Sequence, residues 1–147
     1  MTATDALRGV TRLFLDTAPV IYHVESHPTY RARAASVFSL IDAGVVPAVT
    51  SPVTLAECLA GPCKRGLHAL VTDFIDAIVR GAHTEFVPID AAMAEAAARL
   101  RAAHGITLSD ALQFAAAREA RCHALLTNDL ALRRVPGVRV IVLDDLT

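Results

Sequence analysis

Short apolar segments alternate along this chain with longer segments of helical periodicity, and this alternation restricts the fold more than any other feature. Strands separated by helices, without long polar linkers, indicate a parallel sheet covered by helices on both faces. Strands in such a sheet are apolar throughout because both of their sides are buried. We expect one three-layer α/β/α domain over residues 1–147, with a five-stranded parallel sheet. The predicted strands are Arg12–Asp16, Val45–Thr50, Thr84–Ile89, His123–Asn128 and Val138–Leu143.

Capping residues, glycine and proline set the predicted helix boundaries. Ser51-Pro52 is expected to open a helix, because serine is a good N-cap and proline is favoured in the first turn. Gly61-Pro62 is expected to close that helix. Thr107-x-x-Asp110 resembles a capping box at the start of another helix, which runs to about Arg121. The remaining helices are predicted at 17–25, 29–43, 66–80 and 90–104.

Composition excludes several classes of protein. The chain is 54% apolar and 20% charged with a net charge of −1, which rules out disorder. No apolar run approaches the ~18 residues that a bilayer crossing requires, and the charged N-terminal segment does not fit a signal peptide. We therefore expect a soluble, cytoplasmic protein. Three cysteines and six scattered histidines fit neither a disulfide framework nor a zinc site.

Four acidic residues fall where a sheet of this kind collects its functional groups, near the C-terminal ends of strands. Taken singly, each has an ordinary explanation as a loop residue, a turn residue, a helix cap or a solvent-facing charge. Together they are expected to converge on one pocket. They are Asp16 at the end of the first predicted strand, Asp129 after the fourth, Asp110 in the first turn of a helix, and Glu57 within the apolar helix PVTLAECLAG.

Converging carboxylates repel one another by roughly 3 kcal/mol per pair at ~5 Å and an effective dielectric constant of about 20. Divalent cations relieve this repulsion, and Mg²⁺ and Mn²⁺ prefer oxygen ligands. Such a cation can polarise a phosphoryl oxygen and activate water. A carboxylate site without histidine or thiolate therefore points to phosphodiester chemistry more than to peptide hydrolysis.

The order of these motifs resembles that of the PIN-domain ribonucleases, particularly the VapC-type toxins of toxin–antitoxin pairs. The resemblance extends across nearly the whole chain and implies the strand order 3-2-1-4-5. It also implies cleavage of RNA by a Mg²⁺- or Mn²⁺-dependent endonuclease, leaving a 3′-hydroxyl and a 5′-phosphate. The expected partners are an RNA substrate, a small antitoxin whose tail crosses the acidic pocket, and a second copy in a homodimer. The matching segments are LFLDTAPVIY, VTLAECLAG, LSDALQFAAA and LLTNDLAL.

The resemblance assigns roles by position. Asp16 and Asp110 match the principal metal ligands. Glu57 and Asp129 match the residues that complete the acidic quartet, directly or through water. Thr127 matches a small hydroxyl residue that braces the site.

This chain departs from the family at Ala18-Pro19, where the family often has Asn or Ser after its first Asp-Thr, so any contact of that polar side chain is absent. A nearly neutral chain would hold RNA phosphates through a local basic patch. Either basic pair could instead be a solvated surface feature. The candidate pairs are Lys64-Arg65 and Arg133-Arg134.

Two other enzyme classes with acids at strand ends fit this chain poorly, and one non-catalytic alternative stays open. Haloacid-dehalogenase-type phosphatases need a second aspartate two residues after the first, where this chain has Ala18. Receiver domains need a lysine after a late strand, and the sole lysine here is Lys64. A PIN-like module that binds RNA or protein without cleaving is the main alternative, although the presence of all four acids favours catalysis.

Overall fold

Five strands form one sheet in the computed structural model of the chain, which describes residues 1–147. The strands are β1 (Leu13–Leu15), β2 (Ala48–Thr50), β3 (Thr84–Phe86), β4 (Ala124–Thr127) and β5 (Arg139–Val142). Their order is β3-β2-β1-β4-β5, and every neighbouring pair is parallel. The expected five-stranded parallel sheet of order 3-2-1-4-5 is thereby confirmed.

Seven α-helices and two short 3₁₀ helices accompany the sheet, and none of the helices has the combination of length and apolar character that spanning a bilayer requires. The 3₁₀ helices are Leu130–Arg134 and Leu143–Asp145. The α-helices are α1 (Ala3–Ala6), α2 (Thr17–Val24), α3 (Arg31–Asp42), α4 (Pro52–Lys64), α5 (His68–Val79), α6 (Ala91–His104) and α7 (Leu108–Glu119).

Two hydrophobic cores lie on opposite faces of the sheet. Successive side chains of a strand point to opposite faces, so Leu13 and Leu15 enter one core and Phe14 enters the other. Helices α1 to α5 contribute to the first core, and α6 and α7 cover the second. The three-layer α/β/α arrangement predicted from the alternation of segments is therefore confirmed.

The prediction that a helix ends at Gly61-Pro62 is wrong, because α4 continues to Lys64 with a buried Pro62 inside it. Proline lacks the N–H that would bond to the preceding turn. The carbonyl oxygens at this position keep their partners. That of Gly61 accepts the Arg65 N–H at 3.1 Å, and that of Pro62 accepts the Leu67 N–H at 2.9 Å. The lost bond is thus confined to one position near the end of the helix.

Helix α1 was not predicted. The Thr2 hydroxyl accepts the N–H of Asp5 at 3.1 Å, so Thr2-x-x-Asp5 caps this helix in the same way as Thr107-x-x-Asp110 caps α7. The helix has only four residues, and its buried Ala3 and Ala6 belong to the first core. A segment this short carries no helical periodicity, which explains why the sequence did not indicate it.

The C-terminal ends of the strands meet at one edge of the sheet, and three helices begin there. Asp16 follows β1 and is the N-cap of α2, Ser51 follows β2 and is the N-cap of α4, and Asp129 follows β4 and caps a 3₁₀ helix. This edge therefore gathers polar side chains from the ends of neighbouring elements, as expected for an open parallel sheet.

Candidate active site

The Asp16 carboxylate lies at the junction of β1 and α2 and is only 7% exposed. Its Oδ1 accepts the N–H of Thr17 at 2.9 Å, and its Oδ2 accepts the hydroxyl of Thr127 at 2.8 Å. A buried charge requires such hydrogen bonds to offset the loss of hydration. Donors from two different elements therefore hold the carboxylate in one orientation.

Thr127 links two of the acids. Its fully buried hydroxyl donates to Asp16 and accepts the N–H of Asp129 at 3.0 Å. Asp129 then caps the following turn, since its Oδ1 accepts the N–H of Ala131 at 2.9 Å. One hydroxyl thus sets the position of the Asp129 backbone relative to the Asp16 side chain.

Asp110 projects from the first turn of α7 into the same charged environment. Its pKa is raised to about 6, chiefly by burial and next by the charge of Asp16. A hydrogen bond from Thr107 lowers this pKa, and Asp129 raises it. The effect of both other aspartates on Asp110 places the three carboxyl groups in one neighbourhood.

Glu57 lies on the exposed side of α4, so the possibility that its charge is buried among apolar neighbours is not realised. Its Oε1 accepts the hydroxyl of Thr17 at 2.9 Å. Thr17 therefore contacts two of the acids, donating its N–H to Asp16 and its hydroxyl to Glu57. Thr17, Thr127 and the electrostatic environment of Asp110 thus connect the four acids that the sequence singled out, each of which comes from a different element.

These carboxylates have no basic partner within the chain. Seven ion pairs form elsewhere, and none includes any of the four acids. The acids line neither of the two surface cavities, of about 340 and 190 Å³. They form an acidic surface at the edge of the sheet, outside both of these cavities.

A model of the PIN domain matches residues 13–138. The chain belongs to the PIN domain family. Its matched region contains β1 to β4, the four acids and the turn before β5. A search of curated protein sequences found no match.

Solved structures share this PIN fold. The chain is similar to VapBC2 from Rickettsia felis bound to promoter DNA, with a TM-score of 0.70, 18% identity, and coverage of 90% of this chain and 98% of the other. It is similar to the sarcin–ricin-loop-cleaving toxin VapC20 of Mycobacterium tuberculosis, with a TM-score of 0.68, 18% identity and coverage of 86% and 98%. DNA-bound VapBC from Salmonella typhimurium gives a TM-score of 0.67 at 23% identity, with coverage of 90% and 98%.

The donor set of this PIN domain fits a hard divalent cation. The four acids supply only oxygen, the element that Mg²⁺ and Mn²⁺ prefer, and Mg²⁺ usually keeps several waters around one or two protein carboxylates. The raised pKa of Asp110 reflects burial together with negative charge that a cation would neutralise. As the side chains are placed, no three acidic, imidazole or thiolate groups converge as a complete ligand set.

Three of the four basic residues predicted to contact RNA are engaged within the chain. Arg133 pairs with Asp145, and Arg134 donates to the carbonyl oxygen of His104 at 3.0 Å. Arg65 lies 3.7 Å from Glu25. Lys64 forms no ion pair and lies exposed at the end of α4.

Sequence reasoning missed a buried polar group directly beneath the acids. Gln113 is 0% exposed and contacts Ser51, Thr54 and Asp16. Its position was visible in the sequence, since residues three apart share one face of a helix and Gln113 follows Asp110 by three. Its partners were not visible, because they come from distant parts of the chain.

Proposed function

We propose that this PIN domain is a cytoplasmic, Mg²⁺- or Mn²⁺-dependent endoribonuclease, and that it acts as the toxin of a type II toxin–antitoxin pair. The observation that carries this proposal is the set of four acids, from four elements, that meet at one sheet edge without a basic partner. Such a set favours binding of hard cations, which support phosphodiester hydrolysis.

In this proposal Asp16 and Asp110 are the principal metal ligands, and Glu57 and Asp129 complete the site directly or through water. Bound Mg²⁺ or Mn²⁺ would supply Lewis-acid polarisation of the scissile phosphate and a lower pKa for the attacking water. In this proposal the exposed Glu57 carboxylate would orient that water. Hydrolysis breaks the bond between phosphorus and the 3′-oxygen, leaving a 3′-hydroxyl and a 5′-phosphate.

Residues of the chain hold this arrangement before substrate arrives. The Thr17 N–H and the Thr127 hydroxyl fix Asp16, and the Thr17 hydroxyl fixes one oxygen of Glu57. Preorganised groups avoid the cost of rearrangement during the reaction. These threonines therefore act as positioning residues for the acids.

The position of the acidic surface outside both cavities suits a polymer more than a small molecule. A phosphodiester chain can approach it without entering a cavity, and the exposed Lys64 can contact a phosphate. Arg65, Arg133 and Arg134 would reach RNA only by giving up their present partners. We therefore assign the main phosphate contact among the four to Lys64.

We also propose a small antitoxin and a second copy of the chain as partners. The similar structures from R. felis and S. typhimurium are VapBC complexes, and such complexes contain a protein partner. Beside the acids, Leu108 is 51% exposed and Leu130 is 61% exposed, so a partner can contact apolar and acidic groups together. Light scattering at micromolar concentration tests the homodimer, and a clean monomer would contradict it.

Cleavage of a mixed RNA pool tests the proposed activity. We expect the wild type to cut RNA with Mg²⁺ or Mn²⁺ and not with EDTA. The cleavage rate of Asp16→Asn should be lower than that of the wild type by at least about 100-fold. Asp73→Asn, an exposed and unpaired aspartate on α5, is the matched control and should cut like the wild type. Equal cutting by Asp16→Asn would contradict the site, and binding of RNA without cutting would support the non-catalytic alternative.

A further inference from the structure

Gln113 lies on α7 one turn beyond Asp110, fully buried beneath the acidic surface. It is the only buried glutamine, and it interrupts a helix face that is otherwise packed with alanine and phenylalanine. A buried amide is costly unless its donors and acceptor are all used. Its contacts therefore define what it does.

The Gln113 amide joins three elements. Its Oε1 accepts the hydroxyl of Ser51, the N-cap of α4. Its Nε2 donates to the Thr54 hydroxyl at 2.8 Å, in the first turn of α4, and makes a longer contact of 3.5 Å with Oδ1 of Asp16. No buried polar side-chain atom of the chain lacks a partner.

The surroundings decide which way the amide points. An ionised carboxylate can only accept hydrogen bonds, so the amide atom facing Asp16 must be the nitrogen. The Thr54 hydroxyl already donates to the carbonyl oxygen of Leu15 at 3.2 Å and is therefore free to accept from the same nitrogen. Every contact agrees with this one orientation.

Through its contacts with α4, Gln113 also influences the position of Glu57. Thr54 and Glu57 are three residues apart and so lie on neighbouring turns of one helix face. By holding Ser51 and Thr54, Gln113 sets where α4 begins and hence where Glu57 is presented. The same glutamine shares its own helix with Asp110.

We propose that Gln113 is a positioning residue for the acidic site: its amide orients Asp16 and docks α4 onto α7, and so helps to set the relative positions of Asp16, Glu57 and Asp110. This inference rests on the proposed metal-dependent function. Groups that orient metal ligands from behind typically contribute 10–100-fold to metal affinity or activity.

Two substitutions test the polar contacts of Gln113, one removing all of them and the other changing its donor contacts. Gln113→Met keeps a similar length and removes every polar contact. Gln113→Glu keeps an acceptor for Ser51 and can donate at most one hydrogen bond, when its carboxyl is protonated, so it cannot serve Thr54 and Asp16 together. We expect both to weaken Mn²⁺ binding by about tenfold or more, measured from the free Mn²⁺ signal in electron paramagnetic resonance, and to lower kcat while the KM for RNA stays nearly constant.

Phe74→Leu, in the first core and outside the hydrogen bonds of Gln113 and the four acids, controls for loss of stability. It should lower the melting temperature without changing Mn²⁺ affinity. Wild-type affinity in Gln113→Met, or an equal loss in Phe74→Leu at the same melting temperature, would overturn the inference. If the wild type itself bound no Mn²⁺ and cut no RNA, the proposed function would fail instead.

A measurement on the wild-type protein tests the positioning role of Gln113 even if neither Gln113 variant folds. Titration with Mg²⁺ should shift the side-chain amide signals of Gln113 in nuclear magnetic resonance spectra, saturating together with the backbone signals of Asp16 and Asp110. Backbone signals that move while the Gln113 side chain stays unchanged would overturn the positioning role.

Discussion

At the scale of single residues, the site depends on short polar side chains that connect one acid to the next. Thr17 connects Asp16 with Glu57, and Thr127 connects Asp16 with the Asp129 backbone. Each link is a hydrogen bond to a carboxylate or to a backbone amide, and removing one partner leaves the other unsatisfied. The threonines are therefore good positions at which to test the site.

Thr127→Val should lower RNA cleavage by 10–100-fold and destabilise the fold by about 1–3 kcal/mol. The substitution preserves volume but leaves Oδ2 of Asp16 and the N–H of Asp129 without their partner. Thr127→Ser keeps the hydroxyl and should retain most of the activity. Cleavage rates and urea unfolding measure the two effects, and equal activities for the two variants would refute the bracing role.

The carboxyl of Asp110 makes stability depend on pH in a defined direction. Its pKa is about 6 in the folded protein, above the usual value, so the unfolded chain loses this proton first as pH rises. The contribution of Asp110 to stability is therefore greatest at low pH and falls between about pH 4 and pH 6. The melting temperature of Asp110→Asn minus that of the wild type should increase across this range without metal.

Adding Mg²⁺ at pH 7 should restore the stability that the wild type loses when Asp110 ionises, since the cation neutralises the charge of its carboxylate. The melting temperature of the wild type should rise on addition of Mg²⁺, and that of Asp110→Asn should rise much less. A difference between the two proteins that is independent of pH and of Mg²⁺ would contradict the assigned environment of Asp110.

The residues of the site also show how much of it could be predicted from the sequence. The four acids could be singled out because their positions follow from strand ends, a cap pattern and a charge in an apolar helix. Gln113 could not be placed, because Ser51 and Asp16 approach it only in the folded chain. The exposure of Glu57 stayed open for the same reason, since it depends on how α4 packs.

At the scale of elements, helix ends were predicted well where a side chain caps the backbone and poorly where packing decides. Thr107 and Ser51 cap the helices that their patterns predicted. Pro62 does not end α4, because a buried ring in the last turn loses only one hydrogen bond. Capping side chains thus located these two helix starts, whereas packing of Pro62 decided where α4 ends.

Gly61→Ala should gain less than the about 0.5–1 kcal/mol that this substitution gives inside other helices, because the Pro62 ring disfavours the helical conformation of a preceding residue that carries a Cβ. Gly61 is exposed within α4, and an added Cβ would meet no atom within 4 Å outside the adjacent residues and the helix backbone. Gly105→Ala is the matched control, because Gly105 also has open space but adopts a φ of +65° at the end of α6. That variant should lose about 1–2 kcal/mol. Urea unfolding measures both, and a loss in Gly61→Ala as large as that in Gly105→Ala would contradict the helical position.

At the scale of the whole molecule, the alternation of strands and helices was sufficient to predict three layers and a parallel sheet. Strand order was a consequence of the family resemblance, since periodicity alone does not say which strands are neighbours. The central position of β1 places Asp16 between β2 and β4, whose ends lead into Ser51 and Asp129. The order of the sheet is therefore what brings the distant acids together.

The proposed function requires that these acids bind Mg²⁺ or Mn²⁺ at the edge of the sheet. Anomalous diffraction from crystals grown with Mn²⁺ tests this claim directly. We expect a manganese peak within roughly 2–2.5 Å of carboxylate oxygens of Asp16 and Asp110, and no such peak in crystals of Asp16→Asn. A peak elsewhere on the molecule with this edge empty, or the same peak in Asp16→Asn, would contradict the account.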